Sequence, residues 1–242
     1  MRAPHKVLPA YYEREPQRRG FVREIFDETA ADYEPIERLL SLGTGARYRR
    51  HALRRAGLCP GMRVLDVATG TGLVAREASV IVGGTGMVIG VDPSRGMLRN
   101  ATKASPVALI QGTGEQLPFA DGVFDFLSLG FALRHLATLE GTFAEFRRVL
   151  RPGGIVCLLE ITLPERVWLR NLLKLYMRRI VPLASRLVAR QPGTPRLWRY
   201  YWDTIEACVP PGEVISALQR AGFTSARRHL EVQCFSEYTA RR

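Results

Sequence analysis

A Rossmann-like α/β domain, a mostly parallel sheet with helices on both faces, is the fold predicted by this sequence of 242 residues. Three observations predict it. Residues 62 to 72, Met-Arg-Val-Leu-Asp-Val-Ala-Thr-Gly-Thr-Gly, pass from an apolar run straight into a glycine turn. About 20 residues on, the interval expected of nucleotide-binding βαβ units, Val88-Ile89-Gly90-Val91-Asp92 is a second apolar run ending in a carboxylate. Strand-like and helix-like segments then alternate, the pattern that lays helices on both faces of a parallel sheet.

Taken in order, residues 1 to 20 mix prolines with arginines without a period and read as a mobile arm. Phe21 to Leu42 and Tyr48 to Ala56 read as helices that cap the domain. Val64, Leu65 and Val67 lack the alternation of a half-exposed strand, so the strand over 63–67 is buried on both faces. Gly70 and Gly72 let the backbone turn tightly and approach a ligand, and a helix follows from residue 72, placing that ligand at a helix N-terminus. Gly83, Gly84 and Gly86 form a simple loop. The spacing then predicts a strand at 87–91, a helix at 95–103, strands at 107–111 and 123–129, a helix at 138–149 and a strand at 155–161. Pro164 to Cys208 is helical and rich in aromatics, inserted above the carboxyl ends of the strands as the roof of a ligand pocket. A helix from Pro210 to Ala221 and strands over 223–231 and 234–239 bring the sheet to seven. The chain thus divides into an arm and helical cap (1–56), a cofactor-binding core (57–163), a helical lid (164–211) and a C-terminal helix with strands (212–242).

Composition sets the bounds. The apolar share of 46% suits a globular core, no apolar run approaches the roughly 18 residues of a spanning helix, and the charged first thirty residues exclude a signal peptide. Cys59, Cys157, Cys208 and Cys234 are scattered, with no histidine at metal spacing, so they read as reduced cytosolic thiols and no metal is expected. A cytoplasmic protein follows, peripheral at the inner face of the membrane if its charge is used there. The net charge of +12 points to an anionic neighbour. Much of it lies between Arg166 and Arg199, a stretch without Asp or Glu. There Arg166, Arg170, Lys174 and Arg178 repeat every four residues opposite Leu169, Leu172, Leu173, Tyr176 and Ile180. This reads either as a lid helix with a solvated charged face or as a surface that leans on anionic lipid.

Asp66 sits four residues before Gly70, where its charge suits a cationic sulfonium cofactor and is awkward beside a pyrophosphate, although Gly70-x-Gly72-x-x-Ala75 also fits a dinucleotide turn. Gly114-Glu115-x-Leu117-Pro118-Phe119, Val123-Phe124-Asp125-Phe126 and Arg148-Val149-Leu150-Arg151-Pro152-Gly153-Gly154 follow in that order. Together these motifs resemble the class I S-adenosylmethionine-dependent methyltransferases. More closely, the chain resembles the quinone C-methyltransferases of ubiquinone and menaquinone synthesis, the UbiE/COQ5 type. The likeness runs from about Phe26 to Gly222, strongest over Arg148 to Thr162, with Phe131-Ala132-Leu133-Arg134-His135 similar to the family's Phe-Gly-Leu-Arg-Asn. The family's first signature, Tyr-Asp-x-Met-Asn followed by His and Trp, appears here as Tyr33-Glu34-Pro35-Ile36-Glu37 with Gly45 and Tyr48. Thr113 stands in place of the aspartate offered to the adenine amino group, and Leu73 in place of a residue that is commonly acidic.

The resemblance implies the class I methyltransferase fold and S-adenosylmethionine as cofactor. Asp66, Thr69, Gly70 and Gly72 would surround its methionine part, Asp92 its ribose, Met97 its adenine, with Gly114 and Glu115 along the adenine edge through backbone groups. Methyl transfer is an in-line displacement, so the protein must hold nucleophile and methyl carbon about 3 Å apart and exclude water. For a hydroquinone ring carbon to attack, a hydroxyl must lose its proton. Arg134 and His135, just past the fourth strand, are the candidates: Arg134 to stabilise the phenolate, His135 to take the proton. For Arg134 an ion pair with an acid such as Glu160 is an equal reading. Tyr33 and Tyr176 are candidates for contact with the acceptor ring, against ordinary packing.

The function expected is C-methylation of a polyprenyl benzoquinol or related quinone precursor; the alternative is O- or N-methylation of another small aromatic or secondary metabolite. Other classes are a phospholipid- or RNA-modifying enzyme and a non-catalytic protein that keeps the fold. The partners expected are an aromatic or quinol acceptor, an anionic membrane surface and, compatible with the sequence, a second copy in a homodimer. Nucleic acid ranks below lipid, because no RNA-binding module and no Asn-Pro-Pro-Tyr-like motif follows the fourth strand.

Overall fold

The computed structural model describes residues 3–104 and 107–242. Its elements are α1 (Glu15–Leu40), α2 (Gly45–Ala56), β1 (Arg63–Val67), α3 (Leu73–Val82), β2 (Met87–Asp92), α4 (Arg95–Ala104), β3 (Ala108–Gln111), β4 (Phe124–Gly130), α5 (Leu139–Val149) and β5 (Leu150–Ile161). Then come α6 (Val167–Leu175), a π turn (Tyr176–Ile180), α7 (Val181–Val188), α8 (Thr194–Ala207), α9 (Pro211–Arg220), β6 (Thr224–Glu231) and β7 (Phe235–Arg241). The sheet has the order β3-β2-β1-β4-β5-β7-β6. β1 to β5 pair in parallel and β7 is antiparallel to both β5 and β6. This is the seven-stranded Rossmann-like class I methyltransferase architecture. Strand order reverses between β1 and β4, and ligands of such sheets bind outside the carboxyl ends at that switch point.

The central strands are apolar because both faces are covered. Val67, Leu127 and Val156 pack with Phe143, Phe146 and Leu218 on one face, while Val64, Phe126 and Cys157 pack with Leu53, Ala75 and Ala78 on the other. A third cluster joins Ile36 of α1 to Val181, Trp198, Trp202 and Ile205 of the lid. It fixes the lid to the cap together with Asp32 of α1, which accepts from the Arg190 and Gln191 N–H groups and the Thr194 hydroxyl.

Three expectations are corrected. Residues 3–14 are not a free arm, and α1 begins at Glu15, six residues before the helix read from the sequence. His5 and Tyr12 are buried, the Tyr11 hydroxyl donates to Asp203 at 2.7 Å, and the Val209 amide donates to the Pro4 carbonyl at 2.8 Å. The segment lacks a period but not anchors: Tyr11 and Phe21 meet Tyr200 edge-on, with centroids 5.0 and 5.1 Å away. Aromatic burial of that kind offsets the entropy of ordering a short segment.

The lid's basic stripe does not point uniformly at solvent. Lys174 pairs with Glu206 at 2.8 Å, Arg178 lies 3.8 Å from Asp203, and the Arg170 guanidinium donates to the Pro164 carbonyl. The acids come from α8, beyond the acid-free stretch from Arg166 to Arg199. In exchange, part of the apolar side is open: Trp168, Leu172, Leu175 and Leu183 are each more than half exposed. The third correction is that the lid does not itself roof the ligand pocket; α1 does, with lid aromatics packed behind it.

Candidate active site

At the end of β1 the chain takes positive φ at Ala68 (51°), Gly70 (57°) and Gly72 (84°). A Cβ at Gly70 would meet nothing within 4 Å, so backbone conformation, not crowding, calls for glycine there. The turn is tied down by Thr69 N–H donating to Val91 O at 3.0 Å and Gly72 N–H to Thr69 O at 2.8 Å. Gly72 then caps α3. Two buried carboxylates flank the turn. Asp66 accepts from the hydroxyls of Thr69 and Ser128, both at 2.6 Å. Asp92 accepts from Gly70 N–H through Oδ2 and from Ser94 N–H through Oδ1, both at 2.8 Å.

These groups open on a cavity of ≈ 340 Å³ beyond the carboxyl ends of β1, β2 and β4, a size typical of small-molecule sites. Of the residues expected from the sequence, Asp66, Thr69, Gly70, Asp92, Met97, Gly114, Glu115, Tyr33 and His135 line it. Gly72 stands behind the wall and acts through the turn. The Glu115 carboxylate accepts from Ala137 N–H through Oε1 at 2.8 Å, which ties the turn after β4 to this wall.

Arg134 and Tyr176 are not in the wall. Leu133–His135 form a 3₁₀ turn that sends consecutive side chains to different sides. Arg134 is fully buried, paired with Glu160, donates from Nε to Thr204 at 3.0 Å and lies 3.8 Å from the Tyr201 ring centroid. The expected phenolate contact is therefore replaced by the ion-pair reading, and Arg134 buttresses the turn. The Tyr176 hydroxyl donates to Leu40 O at 3.0 Å, and its ring joins the lid's apolar cluster, which removes it from the acceptor contacts.

His135 points the other way. Its ring stacks on Tyr200 (5.5 Å, 21°) and meets the edge of Phe26 at 5.4 Å, its Nδ1 lies 3.4 Å from the Tyr200 hydroxyl, and its Nε2 is buried without a protein partner. Burial first, then the Arg134 charge, hold its pKa well below the ordinary value, so the imidazole is neutral at physiological pH.

Sequence reasoning missed the roof. Arg19, Val22, Arg23 and Phe26 of α1 line the cavity, and α1 is locked over it because Asp27 Oδ1 accepts from the Ser94 hydroxyl and from Gly96 N–H, both at 2.7 Å. The i, i+3, i+4, i+7 spacing of positions 19, 22, 23 and 26 was a usable signal. The contact with Ser94 is long-range and was not legible. Arg49, Phe131 (φ 59°) and Thr71 were also missed. The Thr71 hydroxyl is buried with no partner. Such an orphan, beside a positive-φ turn and two carboxylates, fits a ligand that is both polar and cationic.

Burial raises Asp66 and Asp92 each to about 6, against the lowering effect of their hydrogen bonds. A ligand that donates to them or brings positive charge binds their ionised forms. Affinity is then full above about pH 6 and falls as pH drops, roughly tenfold per pH unit for each carboxylate protonated. We expect calorimetric affinity for S-adenosylhomocysteine at pH 5 to be at least about tenfold weaker than at pH 7.5; equal affinities would contradict this. For the unliganded fold the sign is opposite. Raised carboxyl pKa values stabilise at low pH, and that contribution is lost as pH rises from about 4 to about 6.

Comparison with known proteins adds an independent line. The model of the ubiE/COQ5 methyltransferase family matches residues 13–233. The ubiquinone/menaquinone biosynthesis C-methyltransferase UbiE of Syntrophotalea carbinolica is 34% identical over 210 residues, covering 85% of this chain and 86% of that protein. The demethylmenaquinone methyltransferase of Symbiobacterium thermophilum is 32% identical over 227 residues, 90% of each chain. Among solved structures, a SAM-dependent methyltransferase from Aquifex aeolicus superposes with a TM-score of 0.63 at 21% identity, covering 86% of this chain and 96% of that one, a likeness of fold.

Proposed function

We propose that this chain, which belongs to the ubiE/COQ5 methyltransferase family and is an S-adenosylmethionine-dependent methyltransferase, C-methylates the ring of a polyprenyl quinol precursor. The observation that carries the reading is the pairing, in one cavity, of two buried carboxylates with a neutral histidine whose Nε2 has no protein partner. S-adenosylmethionine, when bound, supplies an electrophilic methyl carbon attached to a sulfonium. The residues suited to hold it are Asp66, Thr69, Gly70 and Thr71 beside its amino-acid part, Asp92 for two ribose hydroxyls and Met97 against the base, with Gly114 and Glu115 contributing backbone groups.

The acceptor half of the cavity is aromatic and apolar, walled by Phe26, Tyr33, Phe131 and Leu136. Tyr33 stacks on Trp198 at 5.9 Å and 15°, which keeps its ring flat against the space an acceptor ring would use. Burial holds the Tyr33 phenol well above its ordinary pKa, so it donates a hydrogen bond and does not act as a base. His135 is the base: its neutral Nε2 takes the proton of a ring hydroxyl, the ring carbon then bonds to the methyl group as the methyl–sulfur bond breaks and a neutral thioether leaves, and the hydrogen on that carbon departs as a proton to restore the aromatic ring. The apolar side chains of Phe26, Phe131 and Leu136 in the wall disfavour water beside the methyl group. Expression in a strain lacking its quinone methylase tests this directly. Restored quinone methylation is expected, and persistent deficiency despite soluble protein would overturn it.

The open apolar face of the lid supports a peripheral site of action. Trp168, Leu172, Leu175 and Leu183 are exposed alongside exposed Arg166, Arg179 and Arg186, the combination that seats a helix at an anionic lipid surface and gains about 1 kcal/mol per basic residue. Trp168 is exposed, whereas Trp198 and Trp202 are buried. Its fluorescence is expected to shift to the blue on vesicles containing anionic lipid, with binding lost in Trp168→Ala/Leu172→Ala. Unchanged emission would place the protein off the membrane. Among the described residues no helix is long and apolar enough to cross a membrane.

A further inference from the structure

We propose that Arg49 is the oxyanion-binding residue of the acceptor pocket and restricts the acceptor to aromatic rings bearing an ionisable hydroxyl. This rests on reading the cavity as the acceptor site. Three arginines line that cavity, but Arg19 and Arg23 are exposed, whereas Arg49, on α2, is 5% exposed. Its Nη2 donates to Glu37 Oε1 at 2.8 Å, and its Nε is buried with no protein acceptor. A guanidinium carries five N–H groups in a fixed fork, so one carboxylate contact leaves most of them to be satisfied elsewhere. The guanidinium carbon lies 5.5 Å from the centroid of Phe131, itself in the cavity wall. A buried cation over an aromatic ring in the cavity wall favours a ligand oxygen with negative charge and a flat ring beside it.

Gly45 explains how the guanidinium is held there. A Cβ at that position would lie 2.5 Å from Glu37 Oε1 and 2.6 Å from Arg49 Nη1, so any larger residue displaces the pair. The family's first signature has a ring residue at this point, and here its loss makes room for Glu37 and Arg49. The Arg49 charge also reaches Tyr33 and Asp66 on the wall, where it counteracts in part the upward push of burial. With Arg134 committed to Glu160, Arg49 is the buried cation left to stabilise a phenolate in this wall.

The test uses the full chain saturated with S-adenosylhomocysteine and 4-nitrophenol as probe, whose ionised form is coloured. Bound nitrophenol is expected to ionise about one pH unit lower than free, a preference of about tenfold for the phenolate. Arg49→Gln removes the preference with S-adenosylhomocysteine affinity within about twofold, and Arg49→Lys keeps part of it. Glu37→Gln, which frees the guanidinium from its competitor, increases it and guards against misfolding of the arginine variants. Equal binding of both forms by the unaltered protein, a preference that survives Arg49→Gln, or a loss of preference in Glu37→Gln would each overturn the proposal. Turnover of a short-chain demethylmenaquinol is scored separately. Phenolate preference without quinol turnover removes the quinol reading and leaves Arg49 in its role; quinol turnover without the preference does the reverse.

Discussion

Asp92→Ala is expected to weaken S-adenosylhomocysteine binding at neutral pH by at least about a hundredfold, because hydrogen bonds to a charged group contribute about 1.5–3 kcal/mol each and two ribose hydroxyls are at stake. The carboxylate does double duty. While its oxygens accept from Gly70 and Ser94 N–H groups, each keeps a lone pair for the ligand. Asp92→Asn does not escape: an amide presents one N–H face, so it opposes either the Gly70 or the Ser94 N–H donor and turns the other edge into a poor acceptor. Calorimetry of both variants, with thermal melting to confirm folding, checks this. Binding within about threefold of the unaltered protein would show that the carboxylate at the end of β2 does not hold the ligand.

The second large effect belongs to His135. Its replacement by alanine should lower kcat by about 10²- to 10⁴-fold, the usual contribution of a positioned base, while S-adenosylhomocysteine affinity stays within about twofold. A pH profile separates this from a packing role. Because burial and Arg134 keep the imidazole neutral well below the ordinary histidine range, the rate should stay level from pH 8 to about 6.5 and fall only in more acid solution. A limb rising through neutrality, or kcat unchanged in His135→Ala, would assign the proton to another group. The positioning contact is Tyr200. The Tyr200 hydroxyl and His135 Nδ1 lie 3.4 Å apart, and the tautomer with its proton on Nδ1 leaves the lone pair on Nε2, the atom without a protein partner.

What the sequence made legible was the part encoded locally. The turn from β1 through Gly70, the carboxylates Asp66 and Asp92, and the order of strands and helices each depend on residues close in the chain, and motif spacing reports such neighbourhoods. Arg134 shows where that stops. Two consecutive side chains past β4 had equal claims on the acceptor, yet the 3₁₀ turn over Leu133–His135 gives one to Glu160 and the other to the cavity. Nothing in a linear string fixes which. Similarly, the four-residue repeat of Arg170, Lys174 and Arg178 marks one helix face, but the pairing of Lys174 with Glu206 and of Arg178 with Asp203, acids of α8, is not written in that repeat. The roof by α1 depends on Asp27 meeting the Ser94 hydroxyl and Gly96 N–H, contacts closed across some seventy residues that no local pattern announces.

The reaction proposed for this cavity is transfer of a methyl group to a ring carbon of a quinol. Incubating the purified protein with S-adenosylmethionine carrying a ¹³C methyl and chemically reduced short-chain demethylmenaquinol, then locating the label by carbon NMR, tests it most directly. The label is predicted on the ring carbon, with its appearance suppressed in His135→Ala. Label on a quinol oxygen, or no product from protein that binds the cofactor normally, would contradict it.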